Sequence, residues 1–190
     1  MNTNGKYRNN NIVLIGMKHV GKTTIGKILS RRLAIPFTDL DHEIERKVKK
    51  AGIHSVRELF KKQGREGLKR YEKEALHSIL AAHDGRNNGM GRIIATGGGV
   101  VENESVMKVL KKQALIVYLE DDSEHIFSRI KKNGIPPFLD TANPYASFIE
   151  LCHNRKPLYE LYADIHFHIE GKLPEQTADE LYGKLARYIS

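Results

Sequence analysis

The chain has 190 residues, 40% of them hydrophobic, and 31 Lys and Arg against 23 Asp and Glu give a formal net charge of +8. That length suits one α/β domain with a real core, and no apolar stretch approaches the ~20 residues of a membrane span. The single cysteine, Cys152, excludes an intramolecular disulfide and a cysteine-based metal cluster, and fits a reducing cytosol. Basic residues are spread along the chain with acidic ones among them, so the charge points to an anionic small molecule rather than to nucleic acid.

Residues 1–10 are polar, with no apolar region for secretion. They read as a disordered tail ahead of one domain spanning 11–190. Ile12-Val13-Leu14-Ile15 is short and β-branched, as in a buried parallel strand. It runs into Gly16-Met17-Lys18-His19-Val20-Gly21-Lys22-Thr23-Thr24, which fits the P-loop pattern G-x-x-x-x-G-K-T. Ile25, Ile28, Leu29 and Leu33 follow at helical spacing. Strand, glycine loop and helix thus come in the order that a phosphate cradle needs. Gly16 and Gly21 let the backbone approach a phosphate closely. The N–H groups of His19, Val20, Gly21, Lys22, Thr23 and Thr24 would face the anion at the helix N-terminus. Lys22 adds a charge for the β/γ-phosphates, and Thr23 offers a hydroxyl to Mg²⁺. The plainer alternative is an ordinary glycine turn before a helix.

Phe37 and Thr38 suit a short second strand, with Asp39 and Asp41 at its C-terminal end. If the strand geometry continues, both side chains point the same way, toward the edge where open α/β sheets bind ligands. One carboxylate could help hold Mg²⁺ and the other accept a proton from a hydroxyl. Alternatively Asp41 is only the cap of a helix through Glu43, Ile44 and Arg46. Ser55-Val56-Arg57-Glu58 is a capping box opening a helix that Gly64 breaks. The next helix, from Leu68, carries Leu76, Ile79 and Leu80 near one face, with Lys69, Arg70 and Glu72 reading as a solvated face.

A loop over 87–91 precedes the strand Ile93-Ile94-Ala95, which ends in Thr96-Gly97-Gly98-Gly99. Three glycines there suggest either close approach to a ligand or a tight strand–helix turn. A helix over 104–112 and a strand over 115–119 follow. Ser123 is placed to cap a helix carrying Ile126, Phe127, Arg129 and Ile130, which Gly134, Pro136 and Pro137 stop. The irregular stretch that continues to about residue 144 has the size of an active-site lid, taken as 131–144. A helix through Phe148, Ile149 and Leu151 leads to Arg155-Lys156-Pro157-Leu158-Tyr159. The fifth strand is expected over 164–169, with His166 and His168 on one face. With no third ligand in sight they read as surface residues, not a metal site. Pro174 and a Thr177-x-x-Glu180 capping box open a final amphipathic helix.

The combined pattern resembles the shikimate kinase family, small P-loop kinases of the nucleoside-monophosphate-kinase-like group. The landmarks are the P-loop, Phe37-Thr38-Asp39-Leu40-Asp41, Thr96-Gly97-Gly98-Gly99, Tyr118-Leu119-Glu120 and Arg155-x-Pro157-Leu158-Tyr159. The resemblance implies a single-domain three-layer sandwich, a five-stranded parallel sheet with helices on both faces and a mobile lid. It implies a cytoplasmic, monomeric enzyme that uses ATP and Mg²⁺ to phosphorylate the 3-hydroxyl of shikimate, giving shikimate 3-phosphate and ADP. By the same resemblance Lys22 is catalytic, and Thr23 and Asp39 serve Mg²⁺. Asp41 binds the substrate hydroxyls and acts as base, with Gly97, Gly98 and Gly99 beside the substrate and Arg155 on its carboxylate. Arg129 lies on adenine, and Lys172 makes a weaker adenine-side contact.

Three positions depart from the family pattern. His19 replaces a third P-loop glycine. Lys69, after Leu68, replaces the second carboxylate-binding arginine, keeping the charge but losing the planar fork. Pro136-Pro137 replaces an Arg-Pro pair, so the lid arginine that reaches the transferring phosphate is absent, with Lys131 and Lys132 nearby in sequence. Lys69 and Pro136 leave open a kinase for another small hydroxylated acid. The missing lid arginine also leaves open a non-catalytic nucleotide-binding protein, against which stand Lys22, Thr23, Asp39 and Asp41.

Overall fold

The β-branched run that begins at Ile12 lies mid-sheet, where both faces of a strand are covered. In the computed structural model, which describes residues 11–82, 91–136 and 138–189, β1 (Asn11–Ile15) is buried along its whole length. The tail over 1–10, most of the loop at 87–91 and Pro137 lie outside the described residues. β1 pairs in parallel with β3 (Ile93–Ala95) through Ile12 and Ile93, and with β4 (Ala114–Glu120) through Ile12 and Leu115. β2 (Phe37–Asp39) lies outside β3, and β5 (Ile165–His168) outside β4. The sheet order is β2-β3-β1-β4-β5, all parallel. The buried Asn11 fixes this centre: its amide donates to Gln113 O at 3.2 Å, and its carbonyl oxygen accepts from Arg92 N at 3.1 Å.

Parallel neighbours need crossovers, and helices supply them. They are α1 (Lys22–Leu33), α2 (Leu40–Val48), α3 (Val56–Ala81), α4 (Glu104–Gln113), α5 (Ser123–Asn133), α6 (Pro144–Tyr162) and α7 (Pro174–Ile189), with short 3₁₀ turns at Lys49–Ala51 and Val100–Glu102. α1 packs on α7, α3 on α2 and α4, and α5 on α6. α1 approaches the sheet closely because Gly26 has no side chain: a Cβ there would lie 2.6 Å from the Phe37 ring and 3.2 Å from Leu14. The chain leaves β1 toward one edge of the sheet and leaves β3 toward the other. Such a reversal opens a crevice at the carboxyl ends of the strands.

The five strands and the P-loop helix fall where the pattern predicts, and the local caps differ. β2 stops at Asp39 and Leu40 already belongs to α2, so Asp39, not Asp41, is the helix cap. α5 begins at Ser123 itself, one residue past its Asp122 cap position. α7 begins at Pro174, which leaves Thr177 buried inside the helix with its hydroxyl donating to Leu173 O at 3.0 Å. The reciprocal bond at that terminus comes from Gln176, whose side chain accepts from Leu173 N at 3.2 Å. Gly64 breaks α3 as expected, with φ 64° and ψ −163° between two helical segments. His166 and His168 are exposed and alternate with the buried Ile165 and Phe167.

Candidate active site

The loop from Gly16 to Gly21 folds back on itself, with Gly16 at φ 139°, Gly21 at φ 114° and His19 at φ 67°. α1 then starts at Lys22 with no acidic residue in its first turn, so free N–H groups and positive helix dipole face one space. Lys22 is only 7% exposed. Its ammonium donates to Gly16 O at 2.8 Å and Met17 O at 2.7 Å, bracing the loop from inside. Burial lowers its pKa to about 8, against the opposing pull of Asp41 and Asp39.

Two carboxylates border this space. The Thr23 hydroxyl donates to Asp39 Oδ2 at 2.8 Å, while Asp39 Oδ1 accepts from Asp41 N at 3.0 Å and His42 N at 3.4 Å. One side chain therefore caps α2 and faces the P-loop threonine at once. Asp41 sits in the first turn of α2, partly buried. Burial, reinforced by Asp39, raises its pKa to about 6, with Lys22 and Lys18 opposing. Helix geometry, not continued strand alternation, brings both acids to this edge.

The glycine turn after β3 is pressed on three sides. A Cβ on Gly97 would lie 2.6 Å from Asp41 Oδ1, one on Gly98 2.8 Å from Lys18 N, and one on Gly99 3.1 Å from Arg155 Nη2. None of the three has positive φ. They are glycines for space, not for backbone conformation, and the groups that crowd them are the protein's own. Arg155 reaches the turn from α6. Its side chain is 11% exposed, Nη2 lies 3.1 Å from Glu102 Oε2, and Nε is buried without a protein partner. Tyr159, one helical turn on, donates from its hydroxyl to Gly98 O at 2.5 Å and stacks on Tyr118 with ring centroids 4.9 Å apart. The four-residue spacing of Arg155 and Tyr159 puts both on one helix face. In the sequence Tyr159 is only a landmark of the Arg155-x-Pro157-Leu158-Tyr159 motif; its hydrogen bond to Gly98 O puts it beside the glycine turn.

At the other end of the P-loop, Arg129 donates from Nη1 to His19 O at 3.4 Å, and its Nη2 lies 2.9 Å from Asp121 Oδ2. Asp121 is buried. Burial pushes its pKa up, but bonds from His125, Asp122 N and Gly171 N, with Arg129 beside it, hold it below the usual value. The Gly171 N–H reaches Asp121 Oδ1 at 3.1 Å, so the same carboxylate ties down the segment that bears Lys172. Lys172 itself pairs with Glu180 at 2.9 Å and Glu170 at 3.2 Å.

The family model for shikimate kinase matches residues 18–186. The chain belongs to the shikimate kinase family. It is a small-molecule kinase by that membership. It is 36% identical over 177 residues to a shikimate kinase of Thermodesulfovibrio yellowstonii, covering 93% of this chain and 95% of the relative. It is 32% identical over 179 residues to one of Marinomonas sp., covering 94% and 93%. Among solved structures it resembles a shikimate kinase of Acinetobacter baumannii in complex with shikimate, with TM-score 0.81, 27% identity and 94% of each chain covered.

Against that family frame, the three departures take physical form. His19 holds the left-handed conformation that glycine adopts without strain. Lys69 is half-buried on α3 with its ammonium 3.0 Å from Glu66 Oε1. Pro136 is buried, its carbonyl accepting from Leu139 N at 3.1 Å, while Lys131 lies over the Phe127 ring at 5.7 Å and Lys132 is exposed. Two charged residues outside the sequence motifs stand by the glycine turn. Glu102 accepts Arg155, and Arg65 Nη1 lies 3.0 Å from the same Glu102 oxygen. The one signal for Arg65 in the sequence is the glycine before it.

Proposed function

We propose that this protein transfers the γ-phosphoryl group of ATP to the 3-hydroxyl of shikimate, as a cytoplasmic monomer that requires Mg²⁺. The observation that carries this reading is the glycine turn held between the Asp41 carboxylate, the P-loop backbone and the Arg155 guanidinium. A hydroxyl-facing acid, a phosphate cradle and an acid-binding cation then meet across one short turn. A small hydroxylated carboxylic acid has the two ends that this arrangement matches. The relative from Acinetobacter baumannii, solved with shikimate, supports the choice of acid.

In this reading the loop N–H groups and Lys22 hold and neutralise the phosphates, the main contribution protein groups make to phosphoryl transfer. Asp41 orients the attacking hydroxyl and takes its proton; a carboxylate with pKa near 6 is ionised at neutral pH yet more basic than an exposed one. Gly98 presents its backbone to the substrate, and Arg155 pairs with the substrate carboxylate. Arg129 lies against adenine with Lys172 on the same side. The hydroxyl of Thr23 and the carboxylate of Asp39, 2.8 Å apart, are hard oxygen donors of the kind Mg²⁺ takes. When bound, that ion supplies charge neutralisation on the β- and γ-phosphate oxygens. A turnover assay with ATP and a panel of hydroxy acids tests the reading. Shikimate should be turned over with strict dependence on Mg²⁺, and turnover confined to another acid would overturn it.

Pro136 favours one rival, a related kinase for a different small hydroxylated acid. Pro136→Arg separates the two: on shikimate it should raise kcat if only the lid donor is missing, and change nothing if shikimate is the wrong acid.

A further inference from the structure

The acid-binding end has one guanidinium where the family pattern leads one to expect two, since Lys69 stands in the second position with its ammonium on Glu66. Yet a second guanidinium is present. Arg65 Nη1 and Arg155 Nη2 lie 3.0 Å and 3.1 Å from one oxygen, Glu102 Oε2. Two cations on one carboxylate oxygen are a grip of the size and charge that binds a carboxylate. It abuts the substrate-facing turn, since a Cβ on Gly99 would lie 3.1 Å from Arg155 Nη2 and 3.5 Å from Glu102 Oε2. The Arg155 Nε, buried without a protein partner, marks unspent hydrogen-bonding capacity at the same place.

The kink in α3 sets this up. Gly64, at φ 64° and ψ −163°, occupies a backbone region essentially reserved for glycine. No atom lies within 4 Å of where its Cβ would be, so the requirement is conformational rather than steric. The kink redirects the chain immediately before Arg65. A continuous helix would send residue 65 elsewhere. Arg65 is 52% exposed and Glu102 21%, so their pairing alone adds little stability. That weakness suits an exchangeable contact better than a structural one.

We propose that Arg65 replaces the missing arginine as the second guanidinium on the substrate carboxylate, and that Glu102 occupies the arginine pair until substrate displaces it. This rests on the reading of the site as that of a kinase for a carboxylic acid. Glu102 then acts as an internal competitor, easing the repulsion between two like charges in the free enzyme and weakening apparent substrate affinity.

Steady-state kinetics on the full chain, with shikimate and its methyl ester as probes, test both parts. Arg65→Ala should raise the KM for shikimate about 10–100-fold, leave the KM for ATP unchanged, and leave the methyl ester unaffected. Arg65→Lys should recover only part of the loss. Glu102→Gln should lower the shikimate KM several-fold at unchanged kcat, an effect opposite in sign to that of Arg65→Ala. Wild-type turnover of shikimate with an unchanged KM in Arg65→Ala would overturn the arginine pair and leave the kinase reading standing. An equal loss on acid and ester would also overturn it, because that is what a structural role produces. A raised shikimate KM in Glu102→Gln would overturn the competitor role. A wild type without shikimate turnover would overturn the kinase reading, and this inference with it.

Discussion

In the site as proposed, the phosphate end and the acid end are built on opposite plans. The phosphate end is backbone from one contiguous stretch, Gly16 to Thr24, braced by the internal bonds of Lys22 to Gly16 O and Met17 O. The acid end is made of side chains from separate elements: Arg65 on α3, Glu102 in the 3₁₀ turn and Arg155 on α6. A backbone cradle depends on conformation, so its side chains can vary wherever they point away from the anion. A side-chain grip depends on where three segments bring their tips, so a loss at one position can be met from another. His19 and Lys69 illustrate the two cases.

The sharpest break in that comparison is Lys22→Ala. It should lower kcat by roughly 10³-fold or more, as removal of a charged donor to a transferring phosphoryl group does. Circular dichroism should show the fold retained, and a near-normal turnover would remove the cradle from the chemistry. Asp41→Asn comes next, with kcat down about 10²–10³-fold. It should also stabilise the metal-free protein above pH 6. Burial raises the Asp41 pKa to about 6, so the folded state holds that proton more tightly than the unfolded chain. The resulting stability is fully present below the unfolded pKa near 4 and lost as pH rises through 6. Thermal melts in a chelating buffer should therefore show a gain for Asp41→Asn at pH 8 and none at pH 4.

At the acid end, Gly64→Ala should raise the shikimate KM about 10-fold and cost on the order of 1–3 kcal/mol, because alanine cannot hold the kink without strain. Melting and kinetics on one preparation check both. A KM that stays fixed while stability falls would show that the kink does not aim Arg65. The smallest effect is expected at the phosphate end. His19→Gly should add about 1 kcal/mol of stability by relieving a left-handed residue, with kcat nearly unchanged. Denaturant titration reads the first and the turnover assay the second.

The two plans also explain what the sequence makes legible. The cradle is visible because strand, glycines, lysine and helix follow one another in order. Asp39 and Asp41 are visible by spacing, although the mechanism differs: β2 is three residues long, and the helix capped by Asp39 does the positioning. Ser123 and Thr177 mislead because a Ser or Thr with an acid downstream matches a cap even when the helix has begun at or before it. Arg65 is invisible because its partner lies far along the chain and its direction depends on one dihedral pair at Gly64. The glycine turn is legible as unusual. Its reason needs Asp41, Lys18 and Arg155 in three dimensions.

The central position of β1 has a consequence for how the protein is made. β1 leaves the ribosome before both of its neighbours in the sheet, β3 and β4. Asn11 is bonded to Gln113, 102 residues farther on. At about 5–20 residues per second the first strand waits on the order of 5–20 s for its β4 partner. Throughout that wait Ile12-Val13-Leu14-Ile15, buried in the finished sheet, has no strand on that side to cover it. A nascent chain halted between the third and fourth strands would carry a complete P-loop sequence and no finished cradle. The Ile12-Val13-Leu14-Ile15 segment would then be open to a chaperone.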